Sequence, residues 1–375
     1  MHNSAIGKIP RPEYAEWMNS IGERIRAAMR AVSMTQKQLA ERVGMTPDAL
    51  SRVLSGQRGL AAVELAQISR ELDADMHELV TGEPDPHRLV LSARHQYDHE
   101  TGERRLDGAS GDRVLLENIR LAYAQAGKVP AARQLHHDVE GARALLRSDF
   151  VRPFVDRLAE IDVDVVRLND LSTAYSFLVE ERPVIVIPGT GNWFYENWSL
   201  AHELAHLSLG HHGVLKGAPG YEEREAAAND FAAELLLPSE FMHSVAWQDL
   251  GLPELAELVW ERGISTEALR RRANALGLVM SPPVADAVLL STQKLLRRHW
   301  TGARYGDPIT QRMTEAGGRR FPSWLKAAHL EQIAAGAIGK GTLAWMLEVS
   351  ADALEVDEPA PAEELDDTDL DKLLG

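Results

Sequence analysis

A chain of 375 residues with 45% apolar side chains, no cysteine and a net charge of −16 has room for two or three globular domains. That composition excludes a disulfide scaffold and a uniformly basic nucleic-acid binder. The opening residues lack the apolar segment of a secretory leader, and no run reaches the apolar length of a membrane span, so a cytoplasmic chain with no membrane partner is expected.

The charge is uneven. Residues 24–58 hold seven basic side chains against Glu41 and Asp48, whereas residues 355–375 hold nine acidic ones against Lys372. A basic module inside an acidic chain points to a nucleic-acid contact confined to one end.

Residues 1–19 read as a disordered lead-in. Five short helices are predicted over 20–82. Ile21, Ile25 and Met29 form the stripe of the first. Thr35 caps a second that runs from Gln36 to Val43 and stops at Gly44. Thr46 caps a third, with Pro47 at its first position, ending at Leu54. A fourth spans 62–72, and a last short one lies near 75–80. The second and third have helix-turn-helix spacing, with the small Ala40 at their crossing and Gly44 in the turn.

The run Thr35-Gln36-x-x-Leu39-Ala40-x-x-Val43-Gly44-x-Thr46-x-x-x-Leu50-Ser51-Arg52 resembles the XRE family, the lambda repressor and Cro type of DNA-binding domain. The resemblance implies that the third helix enters the major groove of a double-stranded DNA operator. Thr46, Asp48, Ala49, Ser51 and Arg52 then meet base edges, and Gln36 a phosphate or a nearby edge. Lys37 and Arg58 suit phosphate contacts. Such domains read paired half-sites, so a homodimer is expected.

Residues 83–110 read as a linker. His95 and His99 sit four apart there, but without an apolar face or a third donor they read as solvated, and His136-His137 reads the same way. Helices are expected over 114–126 and from Ala131 to about Leu146. The β-branched runs at 163–168 and 184–187 predict strands, with a third at 176–179. Gly189-Thr190-Gly191 lacks the rest of a nucleotide loop and reads as the turn after a strand. A small sheet beside a helix suits a protein that grips an extended chain along a sheet edge.

That helix carries the chemistry. His202-Glu203-Leu204-Ala205-His206 places two imidazoles four residues apart, on one face. Leu200, Leu204 and Leu207 form the opposing apolar stripe. Glu203 is placed to take a proton from a metal-bound water. A hydrolytic zinc site needs a third protein ligand, and Glu225 on the next predicted helix is the candidate. Asn229, one turn further on, can accept the free ring N–H of a liganding histidine. Tyr195, His211, His212 and Tyr221, with Arg224, are candidates to stabilise an oxyanion.

The run Asn197-Trp198-Ser199-Leu200-Ala201-His202-Glu203-Leu204-Ala205-His206 resembles the ImmA/IrrE metallopeptidases, as does Glu225-x-x-Ala228-Asn229-x-Phe231-Ala232-x-Glu234-Leu235-Leu236-Leu237-Pro238. The resemblance implies a Zn²⁺ ion held by His202, His206 and Glu225, with Glu203 as base, in a zincin-like domain over 111–280.

Helices are expected at 252–260, 266–276 and 284–300. Residues 281–355 read as a C-terminal helical module packed on the peptidase region, and 356–375 as an acidic disordered tail. The whole is mainly α, α+β overall. The expected function is a DNA-binding regulator whose zinc endopeptidase cleaves a regulatory protein, a partner repressor or itself, in stress or mobile-element control. The competing expectations are a non-proteolytic transcription factor that senses a metal or small ligand, and an antitoxin or immunity component.

Overall fold

The computed structural model describes residues 21–82 apart from 31, 33, 73 and 75, three short strands between 92 and 105, and residues 109–357 apart from 148, 149, 212–219 and 303–305. The expected lead-in, the pair His95 and His99, His212 and most of the acidic tail lie outside these residues. The chain divides into two compact units, residues 1–88 and 89–375.

The first unit is a bundle of five helices: α1 (21–30), α2 (Gln36–Arg42), α3 (Pro47–Leu54), α4 (Ala62–Glu71) and α5 (Met76–Thr81). Ile21, Ile25, Leu39, Leu50, Val53 and Ile68 fill its core. The caps follow the sequence. Thr35 and Gln38 close a reciprocal capping box on α2, and Thr46 Oγ1 accepts from Ala49 N at 3.2 Å ahead of Pro47. Gly44 sits in the left-handed region at φ 67°, which lets the chain reverse between α2 and α3.

The second unit is built on a sheet of order β1-β5-β6-β4. Its strands are β1 (Ser92–Ala93), β4 (Asp164–Leu168), β5 (Tyr175–Val179) and β6 (Arg182–Pro188); β2 (Gln96–Tyr97) and β3 (Arg104–Arg105) pair separately. β4 runs parallel to β6, and β5 antiparallel to it. Every residue of β6 is buried, so both sheet faces are covered. Alternation along the strands sends Val165, Ile185 and Ile187 to one core and Val166, Val184 and Val186 to the other.

The first core is covered by α7 (Val139–Leu146), α8 (Phe154–Glu160), α9 (Trp193–Ser208), α10 (Tyr221–Leu236), α11 (Ser239–Ser244), α12 (Leu252–Arg262) and α13 (Thr266–Ala275). The second is covered by α6 (Ala109–Gln125) together with α17 (Ser323–Ala334) and α18 (Gly341–Leu347). Residues 281–355 are therefore divided between both cores, because α14 (Pro282–Ala287), α15 (Thr292–His299) and α16 (Pro308–Gly317) join the first.

Two helices differ from expectation. The stretch from Ala131 stays extended until Asp138, whose Oδ1 caps α7 by accepting from Gly141 N at 2.7 Å. The single helix expected over 284–300 breaks after Ala287. Ser291 restarts it as a cap, and Thr266 Oγ1 donates to the Leu290 carbonyl at 2.7 Å. In both cases a local side-chain cap overrides continuous helical periodicity.

Candidate functional site

Helix α9 is buried along nearly its whole length, between the sheet and α10. Its start is fixed three times over. Asn192 caps it, accepting from Tyr195 N at 3.2 Å. Arg167 of β4 forks onto the Glu196 carboxylate at 2.8 and 2.6 Å, and the same guanidinium donates to the carbonyls of Glu315 and Gly318. Asn197 donates to the carbonyl of Gly263 at 2.8 Å. Gly263 has φ 56°, and a Cβ there would lie 2.4 Å from the Asn197 amide nitrogen, so only glycine fits.

With α9 held, its far side meets α10. His202 Nε2 and His206 Nε2 lie 3.1 Å apart. Glu225 Oε2 is 3.6 Å from the first and Oε1 is 3.3 Å from the second. All three side chains are buried, and among the described residues they form the group whose donor atoms can hold a metal ion. A tetrahedral site with bonds of about 2.0–2.1 Å has ligand–ligand edges of about 3.3 Å, and the separations here, taken to whichever Glu225 oxygen is nearer, lie on either side of that value. Two imidazoles and one carboxylate are also the donor set of a hydrolytic zinc centre. The residues fit the group.

The outer edges of the rings are engaged too. His202 Nδ1 faces Asn229 Oδ1 at 3.1 Å. An amide oxygen only accepts, so Nδ1 carries the proton and Nε2 presents its lone pair inward. His206 Nδ1 faces His211 Nδ1 at 3.2 Å. Burial alone would raise the Glu225 carboxyl, but the adjacent His202 and His206 imidazoles outweigh it and hold that group well below the usual carboxylate range.

Glu203 is fully buried, and its Oε2 accepts a hydrogen bond from Ser176 Oγ of β5 at 2.7 Å. The sequence reading missed Ser176. Its signal was the polar position between Tyr175 and Phe177 on an otherwise apolar strand. Those two neighbours point to the opposite core, where Tyr175 donates to Asp112 Oδ2 at 2.8 Å. Burial and the Asp112 carboxylate together push the Tyr175 phenol up, and the charge of Glu203 adds to this.

The oxyanion candidates separate. His211 lies behind His206, against the ring edge that faces away from the three converging donors. Tyr195 sits seven residues before His202, two turns or roughly 10 Å along the helix axis, and helical side chains lean toward the N-terminus. Tyr221 is buried, one turn before Glu225 on the same face of α10. Arg224 is half-buried beside Glu225. His137, set aside in the sequence, contacts the Ser208 carbonyl at the end of α9 at 2.8 Å through Nδ1. Glu234 accepts from Ser239 N and Oγ and pairs with Arg272, which fixes the turn after α10.

In the first unit Lys37, Thr46, Asp48, Ser51 and Arg52 are exposed along one side of α2 and α3, and Ala49 is half-buried. Gln36 donates across the turn to the Pro47 carbonyl at 3.4 Å. Arg58 is half-buried and pairs with Glu64 at 2.7 Å.

Comparison with known families agrees with this geometry. Residues 158–308 match the model of the IrrE N-terminal-like domain, an M78 peptidase family, and residues 25–79 match a helix-turn-helix model. No curated protein and no solved structure matches the chain. No helix among the described residues is long and apolar enough to cross a membrane.

Proposed function

Because this chain joins an XRE-type helix-turn-helix domain to an IrrE-type metallopeptidase domain, we propose that it is a DNA-binding regulator whose second unit hydrolyses peptide bonds at the His202, His206 and Glu225 centre. The observation that carries this is the convergence of three buried donors beside the buried acid Glu203.

A zinc ion held there supplies Lewis acidity and makes a water nucleophilic near neutral pH. Glu203 accepts the proton of the attacking water and returns it to the leaving amine, the work of one carboxylate in two steps. Ser176 fixes that carboxylate through Oε2. Asn229 fixes the His202 tautomer. Tyr221, buried one turn before Glu225 on α10, is the remaining candidate donor to the developing oxyanion.

The substrate in this reading is a regulatory protein, a partner repressor or this chain itself, since the DNA-binding domain makes transcription the setting. Exposed Thr46, Asp48, Ser51 and Arg52 read base edges, and Lys37 contacts phosphate, on a two-fold operator bound by a homodimer.

The test is Glu203→Gln in the full chain. Zinc content and operator binding stay at the wild-type level, while cleavage of an unstructured protein such as β-casein falls by roughly 10²- to 10⁴-fold. Wild-type cleavage equal to that of the variant would sink the peptidase reading.

A further inference from the structure

The two flanks of the sheet are not equivalent. On the outer side of β4, Arg320 exchanges two backbone hydrogen bonds with Arg167, at 2.9 and 3.1 Å, and the Arg167 guanidinium ties the same segment down at the Glu315 and Gly318 carbonyls. The other flank belongs to β5, the strand beside the metal-bearing helix. Its Ser176 reaches Glu203 directly.

One short piece of chain lies on that flank. Ser92 pairs opposite Ser176, and Ala93 opposite Tyr175, in antiparallel register. Directly opposed residues have Cα atoms about 4.5–5.5 Å apart. The Ser92 backbone is therefore one strand spacing from the residue that holds the catalytic acid. Beyond that pair, Phe177, Leu178 and Val179 have no strand partner on this side among the described residues, and Leu178 is exposed. An extended peptide binds such an edge through main-chain hydrogen bonds, whatever its sequence.

The pairing strand follows closely on the boundary between the two units and lies outside residues 158–308, which match the peptidase family. A two-residue strand contributes only a pair of main-chain hydrogen bonds, so a longer peptide competes with it successfully.

We propose that Ser92–Ala93 is a resident occupant of the outer edge of β5, a competitor in cis that an incoming extended substrate displaces. This rests on the peptidase reading above for its meaning, but not for its test.

The binding test uses the full chain carrying Glu203→Gln, so that nothing is consumed. The probe is a fluorescein-labelled peptide of residues 87–98. Adding Ser92→Pro and Ala93→Pro removes two backbone donors and frees the edge. The labelled peptide then binds about tenfold more tightly than to the Glu203→Gln chain alone, and equal affinity overturns the proposal. Hydrogen exchange on the unsubstituted chain gives a second measure, independent of whether the proline variant folds. Slow exchange of the β5 amides that face Ser92–Ala93 supports the occupied edge, and exchange of those amides at unprotected rates refutes it.

Digestion of β-casein by zinc-loaded protein separates the two claims. If peptide binding rises in the proline chain but no form digests casein, the occupied edge stands and the peptidase reading fails. If wild type and the proline chain digest casein equally and bind the peptide equally, the peptidase reading stands and the occupied edge fails.

Discussion

Ser176 and Glu203 are joined by a 2.7 Å hydrogen bond from the hydroxyl to Oε2, so strand β5 sets the orientation of the acid on α9. Strand and helix thereby share one buried polar link. Ser176→Ala removes the tether but leaves the carboxylate. One such bond is worth about 1–1.5 kcal/mol, or roughly tenfold in rate. The expected result is a kcat lower by about tenfold with zinc content and KM unchanged. Steady-state kinetics on a quenched peptide checks this, and an unaltered kcat would remove Ser176 from the mechanism.

Asn229 holds the outer ring nitrogen of His202 and, in the proposed reading, supports the metal without being a ligand. Its loss in Asn229→Ala should raise the zinc dissociation constant by about 10- to 100-fold, the usual effect of removing the partner of a liganding histidine. Competition with a chromophoric chelator measures it. Glu225→Ala, by contrast, should abolish stoichiometric binding.

Metal removal should act on one unit only. A ligand that binds the folded state alone stabilises it by about 4 kcal/mol at a thousand times its dissociation constant. Chelation should therefore lower the Tm of the unit spanning 89–375 and leave the transition of residues 1–88 where it was. Two calorimetric transitions that shift together would contradict this.

On the far face of the sheet, Asp164 accepts a fork from Arg182, with both bonds at 2.8 Å, and further bonds from Tyr123 and Trp324. Asp164→Ala leaves a buried guanidinium uncompensated and should cost about 3–5 kcal/mol in chemical denaturation. The double change Asp164→Leu with Arg182→Met should cost much less, since no charge is left buried. Equal losses would show that the ion pair itself carries the stability.

Arg52 and Arg58 should not contribute equally to DNA binding. Arg52 is exposed on α3, whereas Arg58 is already paired with Glu64. Arg52→Ala should cost about 1–3 kcal/mol in operator affinity and relax specificity. Arg58→Ala should cost less and leave specificity intact. Fluorescence anisotropy on operator and scrambled duplexes distinguishes them.

Much of this was legible in the sequence. Helical spacing puts His202 and His206 on one face and Asn229 one turn beyond Glu225, whereas Glu225 itself was a candidate from the next predicted helix and from the family resemblance. The caps at Thr35 and Thr46 follow from local backbone chemistry. What the sequence hid was tertiary. Nothing in the strand at 175–179 says that its polar residue touches Glu203, because strand parity gives a face and not a partner. Nothing near Arg167 announces Glu196. The breaks at Asp138 and Ser291 were missed because helical periodicity ran through residues that act as caps.

Arg320 also bears on how the chain must be made. It stands where a further strand would lie beside β4, and its neighbour Gly318 receives the guanidinium of Arg167. A chain ended after Pro308, where the family match stops, would keep every metal donor yet leave β4 with a bare row of amides and carbonyls. Such an edge invites pairing between molecules. The last part of the polypeptide thus shields both β4 and the second core, and truncation there should produce aggregates even though His202, His206 and Glu225 remain.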